Sequence, residues 1–93
     1  MSNDKFLIRT AAFKLLEKIY LESDSYLKAT INVTEIITDK FNKLTYQKAC
    51  QYLIKKHLVE SNETVTDKWT ATITYAGIDW IEDNYKEHKE WLI

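Results

Sequence analysis

Thr45, Tyr46, Gln47 and Lys48, followed by Gln51 and Lys55, gather hydroxyl, amide and ammonium groups into one short segment. These are the groups that meet base edges: an amide pairs with adenine, a lysine with guanine or phosphate, and a hydroxyl with either. Lys40, Lys43, Lys55 and Lys56 surround them with cations able to hold a sugar-phosphate backbone and fix register. The same residues also suit an amphipathic helix whose lysines only solvate its outer face. Local charge favours the first reading. Residues 33–58 carry five basic and two acidic side chains, whereas residues 1–32 carry five and four, and residues 59–93 three and eight, within a net charge of −1. A partner attracted to the middle of the chain would be repelled by its end.

Other chemistries find little support. His57 and His88 lie at no recognised zinc spacing from a cysteine or carboxylate, and Gly77 is the sole glycine, so no glycine-rich phosphate loop exists. Cys50 reads as a small core residue, because free cysteines are commonly buried, and a lone cysteine forms no disulfide within the chain. No convergent acid, base and nucleophile can be named, so no enzymatic activity, metal or cofactor is expected.

Helices must position the basic segment. Ile8, Ala12, Leu15, Leu16 and Ile19 fall at helical spacing and predict a first helix over residues 5–21. Ser23-Asp24-Ser25 interrupts it, and Ala29-Thr30-Ile31 suits a short edge strand. Asn32, with Glu35 three residues on, has the form of a helix cap and predicts a second helix over 33–41, with Ile36, Ile37 and Phe41 inward. Asn42-Lys43-Leu44 would then turn, and Thr45 would cap a third helix with Ala49, Leu53 and Leu58 inward. The period then changes to two: Trp69, Ala71, Ile73 and Tyr75 alternate with threonines, which predicts a strand pairing antiparallel with residues 58–61 around a loop at 62–68. Thr74 would cap a last helix from about Gly77, with Ile78, Ile81 and Tyr85 on one side. On that helix Asp79, Asp83 and Glu87 line one face, and Glu82 can pair with Lys86.

At 93 residues the chain fits a single domain, and with 45% hydrophobic and 29% charged residues it can build a core and remain soluble. Its apolar runs are far shorter than the roughly 20 residues of a membrane span. Its start lacks the basic and apolar regions of a secretory signal, which predicts a cytoplasmic protein.

This order of elements, with the run Ile73-Thr74-Tyr75-Ala76-Gly77-Ile78-Asp79-Trp80-Ile81-Glu82 leading into the last helix, resembles the winged helix-turn-helix superfamily of small bacterial, archaeal and phage proteins. The resemblance implies an α+β, mostly helical fold: three core helices, a β-hairpin wing and a C-terminal helix. It also implies a transcriptional regulator that places its third helix in the major groove of duplex DNA, and a homodimer joined through Trp80, Tyr85, Trp91 and Leu92. The wing departs from the family pattern, because its loop holds Glu63 and Asp67 against one base, Lys68. Lys68 and Asn62 can still touch phosphate, but the acidic loop and the negative last third also suit a winged-helix module that binds protein and not DNA.

Overall fold

The computed structural model describes residues 4–39, 41–61 and 67–92, with side-chain surroundings for 8–39, 41–61 and 67–84. Among the described residues three α-helices, one 3-10 turn and a three-stranded antiparallel sheet form a mostly helical α+β fold. Helix α1 spans Asp4–Glu22 and packs against all the larger elements that follow it. Ala11, Ala12, Phe13, Leu15, Leu16 and Ile19 are all fully buried. Three consecutive buried residues cannot share one narrow helical stripe, so α1 is a central helix wrapped on several sides, where its sequence suggested a single apolar face.

A tight turn leads out of α1. The Asp24 carboxylate accepts the backbone N–H groups of Tyr26, at 2.8 Å, and Lys28, at 3.1 Å. These bonds favour the ionised form and hold the Asp24 carboxyl below its ordinary pKa. Leu27 completes the turn in the left-handed region, at φ 64°.

Strand β1, Lys28–Asn32, follows, and pairs with β3, Lys68–Ile73, which also pairs with the two-residue β2, Val59–Glu60. The order β1-β3-β2 leaves β1 at an edge, as expected. Ala29, Ile31, Trp69, Ala71 and Ile73 face the core, while Lys28, Thr30, Thr70 and Thr72 cover the outer face, with the Thr30 and Thr70 hydroxyls 3.4 Å apart.

The predicted second helix does not form. Asn32 does cap, accepting the Thr34 N–H at 3.1 Å and the Thr34 hydroxyl at 2.6 Å, but what it caps is a 3-10 turn of three residues, Val33–Glu35. The β-branched run Val33, Thr34, Ile36, Ile37 and Thr38 disfavours a longer helix. Thr38 instead closes a loop with Phe41: its N–H donates to the Phe41 carbonyl at 2.9 Å, and its hydroxyl accepts the Phe41 N–H at 3.1 Å. Phe41 is buried and Ile36 half-buried, but Ile37 is exposed.

Helix α2 spans Lys43–Lys55 and starts three residues earlier than a Thr45 cap would place it. Its cap is Asn42, not Thr45: the Asn42 side-chain oxygen accepts the Thr45 N–H at 2.9 Å and the Thr45 hydroxyl at 3.0 Å. The residues expected to turn, Lys43 and Leu44, are therefore helical. At the other end His57 adopts φ 62°, its N–H donating to Ile54 O and the Leu58 N–H to Leu53 O, each at 3.0 Å. This is a Schellman closure with histidine where glycine is usual.

Helix α3, Tyr75–Leu92, is capped by Thr74, whose hydroxyl accepts the Gly77 N–H at 2.9 Å and donates to the His57 carbonyl at 2.8 Å. The helix starts at Tyr75, so Tyr75 leaves the alternation of β3 and stands 80% exposed. Ile81 is buried and Trp80 half-buried, with the Trp80 ring 5.7 Å from that of Phe13. Glu82 accepts the Tyr20 hydroxyl at 2.6 Å, tying α1 to α3, and the partner expected for it, Lys86, lies outside the described side chains. Among the described residues no helix is long and apolar enough to cross a membrane.

Candidate functional site

The buried face of α2 is set by Tyr46, Ala49, Cys50 and Leu53, which lock it onto the core. Opposite them Leu44, Lys48, Gln51 and Lys55 are exposed at steps of four, three and four, the spacing of a single helical stripe. Gln47 is half-buried beside them. The helix contains no acidic residue. Among the described residues Lys48, Gln51 and Lys55 have no hydrogen-bond or ion-pair partner, so their polar ends are available to a ligand.

Two further cations flank this stripe. Lys43, in the first turn, pairs with the Asp67 carboxylate at the base of the hairpin, Nζ to Oδ1 2.5 Å. Lys56, just past the helix, holds its ammonium 5.8 Å from the centre of the Tyr52 ring. Lys68 is exposed at the start of β3, opposite Asn32 in the sheet register. Lys40 and the loop at 62–66 lie outside the described residues.

Two predicted site residues occupy other roles. Tyr46 is fully buried, its ring 6.1 Å from that of Phe41, and cannot face a ligand from there. Burial raises its hydroxyl pKa, and that hydroxyl has no partner among the described residues, as is also true of the Trp69 indole N–H. The Thr45 hydroxyl is spent on Asn42. Tyr46 lies three residues before Ala49 and seven before Leu53, on the buried face by helical spacing, and the Thr45 hydroxyl is taken up by the Asn42 cap. Leu44, 57% exposed, is the member of the stripe that the sequence reading overlooked. An asparagine three residues before a threonine was the available signal.

The aromatic groups divide similarly. Trp80 covers the core through Phe13. The side chains of Tyr85, Trp91 and Leu92 lie outside those described.

Cys50 is buried, and burial pushes its thiol up to about 12, which keeps it protonated and un-nucleophilic near neutral pH. Among the described residues no three His, Cys, Asp or Glu side chains gather where they could hold a metal ion. A recess of about 540 Å³ beside the end of α2 opens onto the outer face of the sheet and is lined by Ile54, His57, Glu60, Thr70 and Thr72 among others. A smaller one, about 300 Å³, lies between Leu21, Ile36 and Tyr46. Comparison of the chain with protein-family models, with curated proteins and with solved structures finds no match.

Proposed function

We propose that this chain is a winged-helix protein that binds duplex DNA, a small transcriptional regulator whose helix α2 enters the major groove. The observation carrying this reading is the acid-free stripe of α2, with Lys48, Gln51 and Lys55 unpartnered among the described residues on a helix locked at both ends. An α-helix fits the major groove, and amide and ammonium groups on its outer face match base edges and phosphates. The order helix, strand, short helical turn, helix, hairpin, helix supports the winged-helix assignment, with the second helix shortened to one turn. Pairing of two copies through the end of α3 belongs to the same proposal.

Retention on bulk duplex DNA at low salt tests it first, since phosphate contacts give DNA-binding proteins affinity without sequence. Lys48→Ala is expected to cost roughly 1–3 kcal/mol on a preferred sequence and to relax preference, whereas Lys55→Ala should weaken all sequences alike and flatten the salt dependence. Unaltered affinity in both variants would remove α2 from the interface.

A second reading, a protein-binding module, draws on two exposed tyrosines. Tyr26 is 81% exposed and Tyr75 80% exposed, and the Ile73 N–H to Leu27 carbonyl bond of 2.9 Å brings their chain segments to one end of the sheet. Failure to bind bulk duplex at low salt would turn the assignment toward this surface.

A further inference from the structure

Leu44 is the one large apolar side chain on the outer stripe of α2, in an otherwise polar and basic row. A lone exposed leucine needs no explanation by itself. Its position gives it meaning. With Asn42 as cap it is the second residue of the helix, in the turn that goes deepest when a recognition helix docks by its N-terminal end. Lys48, one turn along the same stripe, follows it into the groove, and Gln47 lies beside it three residues on. A polar or charged residue in that turn would seek a donor or acceptor. A leucine can gain only from an apolar surface, and the major groove offers one, the C5-methyl group of thymine.

We infer that Leu44 is a specificity-determining residue which packs on a thymine methyl, making the preferred site one with thymine under the first turn of α2. The inference rests on the DNA-binding reading above. It assigns Leu44 a role distinct from its neighbours: Lys48 and Gln51 discriminate by hydrogen bonding, Lys55 supplies charge, and Leu44 discriminates by burying a methyl group. The Gln47 amide, adjacent on the helix, is placed to meet the adenine paired with that thymine or with its neighbour.

The test separates the methyl from every other feature of the base pair. A duplex is selected from a random-sequence pool with the full chain, and its thymines are replaced one at a time by deoxyuridine, which keeps the pairing and removes the methyl. The unmodified chain is expected to lose about fourfold in affinity at one thymine, the value of one buried methyl. Leu44→Ala should bind the thymine and deoxyuridine forms equally, and Leu44→Met, similar in bulk, should restore the contrast. A selected site without thymine, no enrichment of any sequence, or equal affinity for all deoxyuridine forms would overturn the role of Leu44 while leaving DNA binding intact. Absence of binding to every duplex would overturn the DNA-binding reading, and this inference with it.

Discussion

The ammonium of Lys43 lies 2.5 Å from Asp67 Oδ1, which joins the first residue of α2 to the base of the hairpin. The Asp67 carbonyl also accepts the Val33 N–H at 2.7 Å, so the carboxylate is held from its own backbone while it neutralises a cation at the mouth of the proposed interface. Both side chains are more than half exposed, and such a pair contributes at most about 1 kcal/mol to stability. Its larger effect is on charge. Asp67→Asn is expected to leave stability nearly unchanged and to tighten binding to bulk duplex. The plot of log affinity against log salt should steepen by about 0.9 as Lys43 takes up one more phosphate. An unchanged slope would place Lys43 away from the DNA.

Gly77 admits no side chain. A Cβ there would overlap the Leu58 carbonyl oxygen and sit 2.9 Å from Ile73 Cγ1. Alanine is the better helix former by about 1 kcal/mol, yet Gly77→Ala is expected to destabilise by about 1–3 kcal/mol, because the close approach is to backbone and cannot relax by a rotamer change. Urea unfolding of the variant measures the balance, and a gain in stability would refute the close packing of α3 on Leu58.

Tyr46→Phe removes a buried hydroxyl that has no partner among the described residues. Folding no longer strips water from that group, so the variant should be more stable by about 1 kcal/mol. A loss of duplex affinity at unchanged stability would instead return Tyr46 to the interface.

Cys50 makes stability depend on pH at the alkaline end. In the unfolded chain the thiol ionises near 9.0, and in the folded core it stays protonated until about 12. The unfolded chain therefore releases a proton first as pH rises through this interval. The contribution of Cys50 is complete below it and is lost across it, at a slope of up to about 1.4 kcal/mol per pH unit. Burial raises Tyr46 in the same direction. Denaturant unfolding below and within the interval should show a shallower decline for Cys50→Ala than for the unaltered chain, and equal declines would mean that the thiol is open to solvent.

Much of the architecture could be read from the residues. The alternation through Trp69, Ala71 and Ile73 and the threonine before Gly77 each match the element they predicted. The failures lay where a local signal competed with an equally local alternative. Asn32 and Glu35 form a cap motif, yet the β-branched residues that follow favour a single 3-10 turn. Asn42 and Thr45 are both good capping residues, and in the structure Asn42 takes the role and binds the Thr45 hydroxyl as well. The earlier cap brings Leu44 into the helix on the face of Lys48, Gln51 and Lys55, while helical spacing puts Tyr46 on the buried face of Ala49, Cys50 and Leu53. Charge pairing across the fold, as between Lys43 and Asp67, leaves no periodic trace in a sequence at all.

Thr74 grips two consecutive carbonyls at the end of α2: its hydroxyl donates to His57 O and its N–H to Leu58 O, at 2.8 Å and 3.1 Å. The same hydroxyl starts α3 through the Gly77 N–H. One residue therefore closes the end of α2 and opens α3, so a single threonine hydroxyl serves two helix termini at once.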